Sequence, residues 1–131
     1  MWEGQLGVLW VAAPESFDPA GLAVVVVALG VAAVLLAAVA WLGRKGALQP
    51  NAVVGIRTPR TLEDRQLWYQ VHHANAPWQF AGSAVTFCAL LGMVLSDRFP
   101  VQVTLMVVAT VALLVPCVVA LVQVRRLGGP A

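Results

Sequence analysis

Charged side chains are scarce in this sequence. Asp, Glu, Lys and Arg together make up 11% of its 131 residues, whereas they make up roughly a quarter of an ordinary soluble domain. The apolar residues account for 60% of the chain and form blocks too long and too poor in charge to be the core elements of a soluble fold. The composition therefore indicates an integral membrane protein.

The sequence also has little of what catalysis and metal binding require. Its two histidines, His72 and His73, are adjacent, so on a helix they point about 100° apart and cannot easily hold one metal ion. It contains no Ser-His-Asp pattern, no intramembrane pair of carboxylates and no phosphate-binding glycine loop. The predicted spans also lack the ionisable residues that mark ion pathways. We therefore expect neither an enzyme nor a transporter acting alone, and neither a metal site nor a cofactor.

Three apolar blocks are long enough to cross a membrane as helices, which takes about 20 residues for roughly 30 Å of hydrocarbon. They are residues 21–43, 78–95 and 101–124. The second block carries several polar side chains, which indicates a side that faces protein, and Pro116 is expected to kink the third. Alternating polarity is absent, which argues against a β-barrel. The predicted fold is an all-α membrane protein with three transmembrane helices.

Small residues recur at four-residue spacing on two of the spans, a pattern that permits close helix contact. The rows are Ala84, Cys88 and Gly92 on the second span, and Ala28 with Ala32 or Ala33 with Ala37 on the first. These rows are expected to pack the three helices together. Because three helices form a thin bundle, we also expect a protein partner or a second copy in the membrane.

Residues 1–20 are expected on the outer side of the membrane. Signal peptides begin with basic residues, but the first charged side chain here is Glu3, so cleavage is not expected. Residues 6–13 are too short to cross and are predicted to lie half-buried at the interface, with Trp2 and Trp10 at headgroup level.

The distribution of Lys and Arg predicts the orientation. Seven of the eight lie in the loop 44–77 or in the tail 125–131, and only Arg98 lies between the second and third spans. Basic residues concentrate on the cytoplasmic side of membrane proteins. The loop and the C-terminus are therefore predicted to be cytoplasmic, with the N-terminus outside.

The loop 44–77 begins with turn-forming residues. Pro50 and Gly55 indicate a turn-rich entry, and the side chain of Asn51 is expected to bond its own backbone. Thr58 and Thr61 are expected to be helix caps rather than catalytic groups.

A short helix is predicted to follow. Thr61 would cap it, with Asp64 three residues later in a capping-box position. Over residues 62–74 the apolar side chains share one face, so this helix is predicted to be amphipathic and to lie on the inner membrane surface. Trp68 is expected to be an interfacial anchor.

The stretch PNAVVGIRTPRTLEDRQLWYQVHHANAPWQFAG, residues 50–82, resembles the signature of the SdpI family of bacterial membrane proteins. The matching positions are Asn51, Gly55, Ile56, Arg57, Thr58, Thr61, Trp68, His72, His73 and Gly82. His73 stands where the family usually has Arg, which would make the charge there depend on pH. Longer members carry additional spans, and this chain resembles only the signature-bearing part.

The resemblance implies a non-enzymatic protein of the bacterial cytoplasmic (inner) membrane. The family's namesake protects its producing cell from a secreted peptide toxin and holds a cognate repressor at the membrane. Toxin immunity, or membrane-linked signalling through protein contacts, is therefore the leading hypothesis. The competing hypothesis is a small accessory subunit packed against a larger membrane protein complex.

The arginines of the loop leave three interpretations open. Arg57, Arg60 and Arg65 can set the topology and hold the loop on anionic lipid headgroups. Arg57 can instead fork to a carboxylate such as Asp64 as a structural lock, or bind a lipid phosphate or a partner. No nucleic-acid partner is expected.

Overall fold

The computed structural model describes residues 15–129, and over that range the regular elements are four helices. They are α1 (Pro19–Arg44), α2 (Pro59–Glu63), α3 (Arg65–Leu95) and α4 (Phe99–Leu127). Three of them, α1, α3 and α4, are long and apolar enough to cross a membrane. The prediction of an all-helical membrane protein with three spans is confirmed. The fourth helix, α2, is short and does not coincide with the short helix predicted at residues 62–74. The interfacial segment predicted at residues 6–13 lies outside the described residues.

The central helix is α3, which packs against both α1 and α4, whereas α1 and α4 make few contacts with each other. The helices α3 and α4 approach closely at Gly82, where an added Cβ would collide with the carbonyl oxygen of Ala112. That carbonyl is the one that Pro116 leaves without a helix donor, because proline has no N–H. Gly82 therefore lets the backbone of α3 lie against the carbonyl freed by Pro116.

The boundary predicted between an interfacial helix at residues 62–74 and a span at 78–95 is wrong. Residues 65–95 form one continuous helix with Pro77 inside it. The proline removes a single helix hydrogen bond, the one to the His73 carbonyl, and Gln123 Nε2 of α4 donates to the neighbouring carbonyl of Ala74 at 3.1 Å. Packing against α4 thus supports the helix through the proline. The chain breaks earlier, at Asp64, which lies between α2 and α3.

Of the small-residue row expected on the second span, Gly92 lies against Leu105 of α4, but the other two members face outward. Ala84 and Cys88 are exposed, whereas Ala33 on the first span is buried. The hydroxyls of Ser83 and Thr86 decide the rotation of α3, because in a bilayer they need acceptors within the protein. Ser83 Oγ donates to the Ala33 carbonyl of α1 at 2.9 Å. Thr86 Oγ1 lies 3.2 Å from the Ala109 carbonyl of α4, in addition to 2.8 Å from the Gly82 carbonyl one turn earlier in its own helix.

A buried glutamine organises the end of the bundle where α3 turns into α4. Gln102 Nε2 donates to the carbonyl of Ser96 at 2.8 Å, and its Oε1 accepts from the backbone N–H of Phe17 at 2.8 Å. The rings of Phe17 and Phe99 lie 5.1 Å apart. Residues preceding α1 are thereby fixed to the start of α4.

Candidate functional site

The segment between α1 and α2, residues 45–58, folds back over the first turns of α3, and we call it the connecting segment. Asn51 shapes its middle: Oδ1 accepts hydrogen bonds from the backbone N–H groups of Val53 at 2.9 Å and Val54 at 2.8 Å. Its Nδ2 donates to the Gln49 carbonyl at 2.8 Å. This is the predicted turn in which asparagine bonds its own backbone.

His72 joins the connecting segment to α3. Its Nε2 accepts a hydrogen bond from the backbone N–H of Ile56 at 2.8 Å, and its Nδ1 lies 2.7 Å from the Trp68 carbonyl oxygen. A nitrogen that accepts from an N–H carries no proton, so the proton resides on Nδ1 and is donated to that carbonyl. Both ring nitrogens are therefore satisfied only while the imidazole is neutral.

The neutral form is also favoured by burial. His72 lies two turns into α3, before the apolar stretch 78–95, and is 1% exposed. Desolvation lowers the pKa of His72 below its ordinary value of 6.5, and the hydrogen bond to the Trp68 carbonyl offsets part of that lowering. A protonated ring would also direct a second donor at the Ile56 N–H. His72 therefore acts here as a structural acceptor.

Trp68 is a core residue, and the prediction that it is an interfacial anchor is wrong. Its side chain is fully buried, and Nε1 donates to the carbonyl of Leu48 at 2.8 Å. The indole lies beside the His72 ring, with the ring centroids 4.3 Å apart. The connecting segment covers the indole and supplies the acceptor that a buried indole N–H requires. Trp68 and His72 thus hold the two ends of this segment.

Gly55 is required for both its conformation and its lack of a side chain. Its φ of +112° lies where L side chains are rarely found. An added Cβ would lie 2.5 Å from His72 Nε2 and 3.1 Å from Trp68 Cη2. The glycine therefore allows the chain to pass directly over the two rings.

The two threonines close the far end of the connecting segment. Thr58 is the N-cap of α2, and its Oγ1 accepts from the backbone N–H of Thr61 at 3.2 Å, while Thr61 Oγ1 accepts from the Thr58 N–H at 2.9 Å. The predicted pairing of Thr61 as cap with Asp64 is wrong, because Asp64 caps α3 by accepting from Gln66 and Leu67 N–H groups. The buried Thr61 hydroxyl also lies 2.8 Å from the Ile56 carbonyl, to which it can donate.

The signature side chains therefore fall into two groups. One group is buried or bonded within the fold and forms what we call the signature lock: Gly55, Thr58, Thr61, Trp68 and His72. The other group faces outward: Arg57 and His73 are exposed, and Arg60 is half-buried.

The outward-facing signature residues Arg60 and His73 lie at separate places. Arg60 Nη1 donates to the Gly129 carbonyl at 3.3 Å, which connects α2 to the end of α4. His73 lies with Arg44, Lys45 and Tyr69 along a groove of about 730 Å³ between the end of α1 and the start of α3, which we call the basic groove.

The outward-facing groups of the signature line exposed surfaces of the described fold. Within residues 15–129, no cluster of three or more His, Cys, Asp or Glu side chains is placed to hold a metal ion. The histidine with the strongest interactions, His72, is committed to two backbone partners. The sequence analysis took the polar side chains of the second span to mark a side that faces protein, but it did not count Asn75 and Gln79 of α3 among the site residues, although both are buried.

The model of the SdpI/YfhL protein family matches residues 47–122. This range covers more than half of the chain and contains the signature lock, α2, α3 and most of α4, but not α1. No curated protein and no solved structure matches the chain significantly.

Proposed function

Because the chain belongs to the SdpI/YfhL protein family, we propose that it acts without catalysis, giving toxin immunity or relaying a membrane-linked signal through protein contacts. The signature side chains most suited to chemistry, His72 and Thr61, are buried and bonded to backbone groups. The groups left facing outward are mainly cations, which bind partners rather than transform them.

We place the signature lock and the basic groove on the cytoplasmic side of a bacterial inner membrane. Seven of the eight Lys and Arg residues lie at this end of the bundle or in the adjoining tail, and Arg98 lies at the other end. This distribution agrees with the concentration of basic residues in cytoplasmic loops.

The observation that carries the proposal is the close packing of the basic groove against the signature lock. A Cβ added to Gly43 would lie 3.0 Å from His72 Cβ, so the end of α1 is pressed against the signature lock. Lys45 Nζ lies 4.2 Å from the centre of the Trp41 ring, which orients the ammonium group. A groove lined by the exposed side chains of Arg44 and Lys45 suits an acidic segment of a cytoplasmic partner.

The test is purification of the tagged chain from its native membrane in mild detergent, followed by mass spectrometry of the retained proteins. The informative variant is Arg44→Gln/Lys45→Gln, and its matched control is Arg125→Gln/Arg126→Gln, which removes two exposed cations outside the groove. A partner that is lost only from the groove variant supports the proposal. Recovery of the wild-type chain alone, from cells that make their full set of membrane proteins, would contradict it.

A second candidate function is that of an accessory subunit in a larger membrane complex. It is favoured by α1, which buries only Ala33, Ala40 and Gly43 and exposes an apolar surface along its length. Such a surface can contact lipid or a span of another protein. A large complex retained by both the wild type and the groove variant would support this function over immunity or signalling.

A further inference from the structure

A second cavity, of about 550 Å³, lies between α1 and α4 over the face of α3, and we call it the lateral cavity. Its walls are largely apolar and include Leu35 of α1 and Leu121 of α4, which are 61% and 55% exposed. Because exposed leucines of two spans border the cavity, it opens sideways, toward the surface that these helices present to lipid. Its volume falls within the range of small-molecule sites, roughly 300–1,000 Å³.

Two amides of α3, Asn75 and Gln79, are among the residues that line the lateral cavity. The carbonyl oxygens of both are enclosed in the fold and do not face the cavity. Asn75 Nδ2 donates to the Pro116 carbonyl at 3.2 Å. Within residues 15–129, Gln79 Nε2 is neither bonded nor enclosed, although the residue as a whole is only 4% exposed. Because the oxygen and the nitrogen are on opposite branches of a planar amide, enclosing Oε1 directs the N–H groups of Nε2 to the open side. The deep part of the cavity therefore presents a hydrogen-bond donor.

Arg57 supplies a cation at the end of the lateral cavity nearer the connecting segment. Its side chain is exposed, and the described residues that line the cavity include no Asp or Glu. The preceding residue, Ile56, donates its N–H to His72, so the Arg57 backbone lies near the level of His72. Gln79 lies seven residues further along α3, about 10 Å at 1.5 Å per residue, and helical side chains lean back toward the N-terminus. A ligand that extends inward from the connecting segment therefore meets a cation first and a donor deeper, beside apolar walls.

This order of groups distinguishes among the amphiphiles of a membrane. Arg57 requires an anion, and Gln79 Nε2 requires an acceptor between that anion and the apolar chain. A polyprenyl phosphate or a fatty acid has an anion and a chain but no acceptor between them, so the buried amide would lose water without gaining a partner. In a diacyl phospholipid the ester carbonyls follow the phosphate within a few bonds, at the start of the acyl chains. The diacyl phospholipid therefore satisfies both groups.

We propose that the lateral cavity is a binding site for an anionic diacyl phospholipid. The phosphate pairs with the Arg57 guanidinium, and an ester carbonyl accepts a hydrogen bond from Gln79 Nε2. One acyl chain then lies between α1 and α4, along Leu35 and Leu121. The lateral cavity shares no lining residue with the basic groove, so the proposal does not depend on a protein partner.

The test is native mass spectrometry of the full purified chain, delipidated in a nonionic detergent and titrated with two probes. Dioleoyl phosphatidylglycerol carries both of the recognised groups, and its dioleyl ether analogue lacks only the ester carbonyls. The variants are Arg57→Gln and Gln79→Leu. Their matched controls are Arg65→Gln and Gln66→Leu, which change an exposed arginine and an exposed glutamine outside the cavity.

We expect saturable binding of one ester probe per wild-type chain. Arg57→Gln should weaken this binding about tenfold, because a charge-assisted hydrogen bond is lost, and Gln79→Leu should weaken it roughly threefold to tenfold through the loss of a neutral one. The two controls should leave it unchanged. The ether probe should bind the wild type roughly threefold to tenfold less tightly than the ester probe, whereas Gln79→Leu should bind the two probes equally. An unchanged gel-filtration profile for each variant shows that the fold is intact.

Three results would overturn the proposal. One is the absence of saturable binding of the ester probe. Another is equal binding of the ester and ether probes by the wild type, which would mean that Gln79 Nε2 does not bond to an ester carbonyl. The last is binding that the controls weaken as much as Arg57→Gln and Gln79→Leu do, which would indicate lipid associated with the whole apolar surface. None of these results bears on the partner that the basic groove is proposed to bind.

Discussion

The two spans α1 and α3 use opposite means to hold their places. The helix α1 buries three small residues, Ala33, Ala40 and Gly43, and presents apolar side chains outward. The helix α3 buries residues along its whole length, including a tryptophan and a histidine. It also buries four other polar side chains, those of Asn75, Gln79, Ser83 and Thr86, and the adjoining α2 buries that of Thr61. Hydropathy is enough to predict α1 as a span, whereas the orientation of α3 also depends on close packing at Gly82 and on hydrogen bonds to its neighbours.

This difference shows where sequence changes should matter. Moving an apolar side chain from lipid into contact with another helix gains little free energy, because lipid chains are equally apolar. The position of α1 is therefore set mainly by close contact of its small residues. Buried polar groups of α3 lose their partners if the helix rotates or separates, which penalises every alternative packing. We therefore expect large effects at α3 and the connecting segment and small ones on the outer face of α1.

The largest effect is expected for Trp68→Ala. The change removes a fully buried side chain and leaves the Leu48 carbonyl without its donor, which should cost about 3–5 kcal/mol of the free energy of unfolding. Reversible unfolding of the purified protein in mixed micelles by SDS measures this. The control is Trp78→Ala on the same helix, where the side chain is half exposed. Equal losses for the two variants would abolish the contrast between buried and outward positions.

Gly55→Ala should be the next most damaging change. The substitution places a methyl group against His72 and Trp68 and forces a non-glycine residue to a φ of +112°. Gly46→Ala is the matched control, because Gly46 also has a positive φ, of +65°, but has open space around its Cβ position. Backbone strain at Gly46, whose φ lies in the left-handed α region, should cost about 1–2 kcal/mol, and Gly55→Ala should exceed that control by about 1–3 kcal/mol of overpacking. The same unfolding assay compares them, and a smaller loss at Gly55 would contradict the close passage over the two rings.

The stability of the fold should depend on pH through His72, which would further test the contrast between buried and outward-facing positions. Because burial lowers the pKa of His72 in the folded state, the unfolded chain binds more protons as the pH falls below 6.5, and stability declines in that direction. The decline is complete once the pH passes below the folded-state pKa. His72→Gln removes the titrating group while keeping an acceptor for the Ile56 N–H, so it should flatten this decline.

The control for the pH experiment is His73→Gln, which changes the adjacent, exposed histidine. Unfolding free energies measured from pH 8 to pH 5 should fall in parallel for the wild type and His73→Gln. A flattened profile for His73→Gln, or an unchanged one for His72→Gln, would remove the proposed role of the Nε2 acceptor.

The smallest effect is expected on α1. Val31→Ala trims a side chain that is 54% exposed, and for the isolated protein we expect a change within about 0.5 kcal/mol. The same substitution assayed in the native membrane tests the second candidate function. If the span of a partner packs on α1, Val31→Ala should weaken its binding. Loss of a co-purified complex with no loss of intrinsic stability would identify α1 as the side that faces a partner.

The features that the sequence predicted are those that depend on local composition. Apolar length located the spans, and the preference of asparagine for turns located the bend at Asn51. The features that the sequence did not predict depend on tertiary contacts. An acceptor on Leu48, distant in sequence, converts Trp68 from a surface anchor to a core residue, and contacts from α4 carry α3 through Pro77.

The sequence predicted which residues belong to the site, but it did not predict which of them are buried and which face outward. The signature residues were named, but the division between inward-facing Thr61 and His72 and outward-facing Arg57 follows from the path of the connecting segment over α3. Which face of a helix is covered depends on what packs against it. The periodic pattern of polar and apolar residues shows that α3 has two different faces. It does not show which neighbouring element covers the polar face.

The hydrogen bonds between α3 and α4 have a consequence for how the chain enters the bilayer. Gln79, Ser83 and Thr86 would oppose insertion of α3 as a lone segment, and the link to α4 is only the three residues 96–98. Thr86 and Asn75 both bond to α4 carbonyls. We therefore expect biosynthesis to deliver α3 and α4 to the lipid together as a hairpin, whereas α1 can partition by itself. Ribosomes stalled before α4 emerges should yield chains with α1 integrated and α3 still accessible to water.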